Sequence, residues 1–184
     1  VIGRVLDALE ASQHADDTAV FFMSDHGDHM GQHGMYQKME MYESAVRVPM
    51  ILRVPGGATA EIKAPVSHLD IMPTILELMG IDAPEGLDGV SLLNSLRTGE
   101  APPDRPQYSA YSGNPTVGDI RRAVITRRYK YIHDPEDAPE LYDLEVEPLE
   151  MRNVAADPEH RDAVRELHAL GKAWAESHND WVQW

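Results

Sequence analysis

Two short apolar runs separated by a glycine-punctuated loop constrain this chain more than any other feature. Between Thr18 and Gly56 it reads TAVFFMSDHGDHMGQHGMYQKMEMYESAVRVPMILRVPG. The runs 18–24 and 46–54 have strand composition, and Pro49 and Pro55 bracket the second, fixing its entry and exit. The loop 25–44 cannot be one continuous helix. Gly27, Gly31 and Gly34 each cost about 1 kcal/mol there relative to alanine. Asp25 and His26 directly follow the first strand, and in an open α/β sheet ligands bind beyond the carboxyl ends of the strands.

Helical patterns flank these strands. Ile2, Val5, Leu6 and Leu9 share one face over residues 1–12, and a second helix is expected over 70–79, with Asp70 as N-cap, Pro73 in the tolerant first turn and Gly80 as terminator. Alternation of this kind predicts a partial, mostly parallel sheet with flanking helices. Residues 86–106 are rich in turn formers and read as a boundary. Beyond them, 108–111, 122–126, 129–133 and 140–144 are short candidate strands, consistent with a small antiparallel sheet. Asp157-Pro158 opens a final helix whose stripe is Val164, Leu167, Leu170 and Trp174. The expected organisation is an α/β portion over 1–100 and a small α+β subdomain over 101–184. A chain of 184 residues can bury one sizeable core, or a core plus an appendage.

Composition narrows the function classes. A formal charge of -15 argues against nucleic-acid or anionic-membrane binding. The absence of cysteine excludes disulfides, thiolate metal sites and a cysteine nucleophile within these residues. The longest apolar runs are far too short to span a bilayer. Val1–Ala11 reads as an amphipathic helix, not a signal peptide. The chain opens inside that helix without methionine or a cap, so further residues upstream are expected and the compartment is not legible. Arg121–Lys130 holds five of the sixteen basic residues. That run reads first as solvated surface, and second as a face toward an anionic substrate.

Chemistry concentrates in the loop. Asp25 and His26 can both reach a cation if the backbone turns sharply, which Gly27 permits; a turn with Asp25 bonded to local backbone is the equal alternative. His26, His29 and His33 have the spacing of a helical zinc site. The glycines make that helix unfavourable, so His29 and His33 read as loop or pocket-wall residues, with His33 a candidate substrate contact. Lys38 would be carried back toward the cation, where an ammonium binds an oxyanion and stabilises charge on a leaving oxygen. Glu43 and Arg47 read as a structural ion pair. Tyr108, Tyr111, Asn114, Arg121 and Arg122 are possible pocket walls in the second domain, each more simply a loop or strand residue. His68 reads as structural.

Ser24-Asp25-His26-Gly27, Gly31-x-His33-Gly34, Lys38, Glu43-x-x-x-Arg47-Val48-Pro49 and Pro55-Gly56 together resemble the C-terminal half of a type I sulfatase, in the alkaline-phosphatase-like superfamily. The resemblance continues through Val66-Ser67-x-x-Asp70-x-x-Pro73-Thr74, Leu87-Asp88-Gly89-x-Ser91-Leu92, Tyr129-Lys130-Tyr131-Ile132 and Glu140-Leu141-Tyr142-Asp143-Leu144, to Glu150 and Asn153. It implies an alkaline-phosphatase-like fold and hydrolysis of a sulfate ester, such as a sulfated carbohydrate. It implies a divalent cation, most often calcium, on Asp25 and His26, with Lys38 contacting the sulfate. The imidazole would also suit manganese or zinc. Periplasmic, secreted or lysosomal compartments are typical of the family, and a cytoplasmic location stays open.

The resemblance further implies a formylglycine nucleophile made from a Cys/Ser-x-Pro/Ala-x-Arg motif. That motif is absent here, and the nearest stretch, Ser44-Ala45-Val46-Arg47, has the wrong spacing. The chain is therefore expected to be a C-terminal portion that is inactive alone, with the formylglycine upstream. Two other readings stand beside it: a phosphonate monoester hydrolase or phosphodiesterase of the same superfamily, and a non-catalytic domain binding anions or glycans. The substrate itself and the oligomeric state are not legible.

Overall fold

The computed structural model describes residues 1–113 and 120–184; Asn114 lies outside them. The chain forms two compact units. One comprises Val1–Met23, Pro49–Lys63 and Ser67–Pro102, the other Ser24–Val48, Ala64–Val66 and Pro103–Trp184.

The first unit contains α1 (Ile2–Glu10), β1 (Val20–Met23), β2 (Met50–Arg53), α3 (Ile71–Leu78) and α4 (Leu93–Thr98); α2 (Glu43–Val46) belongs to the second. Strands β1 and β2 pair antiparallel, from Val20 opposite Arg53 to Met23 opposite Met50. The α/β class matches the expectation, whereas a parallel pairing here does not. A parallel pair needs a crossover that carries the chain to the far end of the strand. Residues 24–49 instead contain only one-turn helices and re-enter opposite the residue where they left. Asp70 is fully buried ahead of α3 and does not cap it in the ordinary way. Its carboxylate accepts the N–H groups of Ser67 and Val90, each at 2.9 Å, tying the helix entry to a distant loop.

The second unit is built on an antiparallel meander of β3 (Gln107–Tyr111), β4 (Arg121–Ile125), β5 (Tyr129–His133) and β6 (Glu140–Asp143), all as expected within a residue or two. One face carries Val124, Tyr131 and Leu141, which pack on Leu167 of α5 (Arg161–Ser177) together with Val154. Val164 and Leu170 flank this core, and Trp174 stacks on Tyr108 at 5.3 Å, so the predicted helical stripe is the packed one. The opposite face carries Ala123, Ile132 and Tyr142, which pack on Met41, Tyr42 and Val46 of the loop that follows β1. Both faces of the sheet are thus covered, and its central strands are buried along their middles instead of alternating.

Arg122 is one of the few charges inside this unit. It forks onto Asp180 at 2.6 and 2.9 Å, with the side chains 4% and 8% exposed. Arg122→Ala should cost about 3–5 kcal/mol, because it leaves a buried carboxylate unpaired. The Arg122 hydrogen bond holds the Asp180 carboxyl below its ordinary value. This contribution is therefore complete above the unfolded carboxylate range of about 4 and is lost as pH falls through the lower folded value. Urea melts should show the gap between parent and variant narrowing below about pH 4; an equal gap at pH 7 and pH 3 would contradict the assignment.

Candidate active site

Ser24, Asp25 and His26 follow β1 directly in the chain. The Asp25 Oδ1 accepts the His26 N–H at 2.9 Å, and that bond is the chief reason its carboxyl is held below the ordinary value, followed by the neighbouring imidazole. The Ser24 hydroxyl donates to the His26 carbonyl at 2.8 Å, closing a tight turn. His26 Nδ1 lies 2.7 Å from the Gly27 carbonyl. A carbonyl only accepts, so Nδ1 carries the proton, and an ammonium only donates, so Nε2 turns its lone pair to Lys38. Asp25 Oδ2 lies 3.6 Å from this Nε2, and Lys38 Nζ is hydrogen-bonded to it. Asp25, His26 and Lys38 therefore meet, across the loop the glycines had pointed to.

The loop reaches this shape through strained backbone held by many bonds. Met30, His33 and Gln37 have φ of 51°, 52° and 75°, a left-handed region that such side chains rarely adopt. The strain is offset locally. Asp28 Oδ1 accepts the N–H of Met30 at 2.9 Å and of Gln37 at 3.3 Å, while the His29 N–H donates to the Gln37 carbonyl at 2.8 Å. Beneath the loop lies α2 (Glu43–Val46). Gly27 N–H donates to the Ala45 carbonyl at 2.8 Å, and a Cβ on Gly27 would fall 2.0 Å from the Ser44 carbonyl oxygen. Only glycine fits that approach.

The three histidines do not form a metal site. His29 is 3% exposed with Nδ1 on Ser44 Oγ at 2.6 Å, and burial holds its pKa below the ordinary value. His33 stacks on the Tyr42 ring at 4.2 Å. Among the described residues no group of three or more His, Asp or Glu side chains is arranged to hold an ion. Asp25 Oδ2 and the His26 Nε2 lone pair fit a divalent cation as part of a shell. A hard cation taking six to eight ligands needs further oxygens from elsewhere.

Three of the second-domain candidates, Tyr108, Arg121 and Arg122, are engaged within the described structure. Tyr108 stacks on Trp174, Arg122 holds Asp180, and Arg121 pairs with Asp134 and, at 3.3 Å, with Glu40. The Glu43–Arg47 pair exists at 3.6 Å with Arg47 exposed. Glu43 has a closer partner that sequence reading missed. Its Oε1 is 2.6 Å from Lys130 Nζ, which also lies 2.8 Å from Glu150 Oε1. Lys130 alternates with Ile132 on the sheet face that meets the loop, and that register was the available signal.

The α/β fold, with its antiparallel meander and covering helix, matches solved sulfatase structures. Residues 31–175 match the family model described as N-sulphoglucosamine sulphohydrolase, C-terminal, and the chain belongs to that family. It is 35% identical to the choline-sulfatase of Rhizobium meliloti (strain 1021), over 85% of this chain and 31% of that protein. It superposes with a TM-score of 0.83, at 29% identity, on the structure of BT4656 in complex with its substrate D-glucosamine-2-N,6-O-disulfate, covering 98% of this chain and 38% of the other. The phosphonate monoester hydrolase of Agrobacterium radiobacter gives a TM-score of 0.85 at 28% identity, covering 96% and 38%. The chain thus spans about a third of the length of the curated relatives it matches.

Proposed function

We propose that this chain is the C-terminal portion of a sulfatase that hydrolyses a sulfate ester, such as a sulfated sugar, with a divalent cation and a formylglycine carried upstream. The observation that carries the reading is the meeting of Asp25, His26 and Lys38 across one loop. Asp25 Oδ2 and His26 Nε2 would hold the cation, calcium by family habit and manganese or zinc by the imidazole's preference. When bound, the cation supplies charge neutralisation for the sulfuryl oxygens. This chain's own residues would hold and orient the group. The Nδ1–H···O=C bond to Gly27 keeps the imidazole in the ligating tautomer. The Nε2 lone pair serves one partner at a time; with it on a cation, the Lys38 ammonium would be available to the sulfate and the leaving oxygen. In a chain of charge -15, that local cation also offsets long-range repulsion of an anionic substrate.

Lysine and Asp-His geometry suit a tetrahedral phosphonate ester as well, and the match to a phosphonate monoester hydrolase favours that as the second reading. Assaying the full-length protein on an aryl sulfate and an aryl phosphonate side by side decides between them; a higher kcat/KM on the phosphonate overturns the sulfatase reading. The isolated 184 residues should show no turnover, because they hold no formylglycine motif and only part of a cation shell. Measurable aryl sulfate hydrolysis by this portion alone would contradict that.

A further inference from the structure

We propose that Glu43, Lys130 and Glu150 are positioning residues for the Asp25–His26–Lys38 group, clamping the one-turn helix on which its loop is seated. Lys130 is fully buried and Glu150 is 1% exposed, at the sheet face that meets the loop. Glu150 Oε2 accepts the backbone N–H of Glu43, the first residue of α2, at 2.5 Å. Its other oxygen is 2.8 Å from Lys130 Nζ, and that ammonium lies 2.6 Å from Glu43 Oε1. Two carboxylates and one ammonium therefore hold a helix of four residues by its amino end. A single turn has no stability of its own, since nucleation is unfavourable.

The path from this clamp to the site is short and made of directional bonds. Ala45 in α2 receives the Gly27 N–H at 2.8 Å, which fixes the residue beside His26. Ser44 in α2 is 2.6 Å from His29 Nδ1, and the His29 N–H donates to the Gln37 carbonyl at 2.8 Å, which fixes the residue beside Lys38. Both arms of the site thus rest on one helical turn. A second observation points the same way. Glu150 has φ of 57°, an uncommon backbone conformation for glutamate that is kept where surrounding bonds over-determine it. A buried ion cluster is a weak source of stability, because desolvation offsets the attraction. What this one supplies is direction, through the bond from the Glu43 N–H to Glu150 Oε2. Its bearing on sulfate chemistry rests on the function proposed above.

The test compares two double variants of the full-length protein by hydrogen exchange read by mass spectrometry. K130M/E150L replaces the ammonium and one carboxylate with apolar groups of similar volume, leaves Glu43 paired with Arg47, and removes the acceptor at the Glu43 N–H. Peptides spanning 25–38 should then exchange at least about tenfold faster, while those spanning 121–133 are unchanged. K130M/E150Q keeps an oxygen for that N–H but lacks the ammonium, and should restore only part of the protection. Equal protection of 25–38 in all three proteins, or a parallel loss over 121–133, would overturn the clamp. Should K130M/E150L fail to fold, Glu150→Ala set against Glu150→Gln gives the same comparison, with faster exchange over 25–38 expected in the first and protection kept in the second. No turnover enters these readouts, so a failure of the sulfatase assignment is seen separately in the ester assays.

Discussion

Lys38→Ala in the full-length protein should lower kcat/KM for an aryl sulfate by about 10²–10³-fold, the size of effect seen when one preorganised donor to a developing oxyanion is removed. The side chain is exposed and its described partner is the His26 ring, so its removal costs little packing. Thermal melting should therefore stay where it is in the parent. That separation matters, because a residue that merely stiffened the loop would change stability and rate together. Lys38→Arg keeps the charge but moves it and spreads it over a planar fork, so it should recover only part of the rate. A loss smaller than tenfold in Lys38→Ala, measured with saturating cation, would remove Lys38 from the anion site.

Gly27→Ala should be nearly as damaging for a different reason. The new Cβ would lie 2.0 Å from the Ser44 carbonyl oxygen and 3.0 Å from its carbon, both backbone atoms that cannot swing away. The turn must lift off α2, breaking the bond from Gly27 N–H to the Ala45 carbonyl and moving His26 with it. A displacement of about an ångström at a catalytic group costs on the order of 100-fold in rate, and overpacking of this kind costs about 1–3 kcal/mol in stability. The control is Gly3→Ala in α1, where a Cβ meets nothing within 4 Å. That change should leave activity intact and stabilise by about 0.5–1 kcal/mol, since alanine is the better helix former. Equal activity in the two variants, from parallel assays and melts, would show that the close approach does not govern the site.

The four strands of the meander and α5 were legible because their signals are local. Short runs of β-branched and aromatic residues end at Asp-Pro, Ser-Gly or charged turns, and the stripe from Val164 to Trp174 recurs at helical spacing. The candidate site was legible for the same kind of reason. Asp25 and His26 sit at a strand end, and Gly27, Gly31 and Gly34 announce a chain that folds back far enough to bring Lys38 to His26. Asp70 shows the limit. Its position before a helix is local and was read correctly, but its hydrogen bond to Val90 crosses to another loop and leaves no local pattern. The antiparallel sense of β1 and β2 was likewise hidden, because apolar content reports burial of a strand and not the direction of its neighbour.

Residue order alone was enough to say that this chain carries a carboxylate, an imidazole and an ammonium on one loop, lacks a cysteine, and ends in a small sheet with a helix across it. Those conclusions rest on spacing, turn chemistry and composition, which act over a few neighbours. Packing assigned the remaining roles. Lys130 looks like any strand lysine until the register turns it inward to meet Glu43 and Glu150, and Arg122 looks like part of a basic surface run until Asp180 closes on it. Charges become costly or useful according to what is buried beside them, and those partners lie far away along the chain.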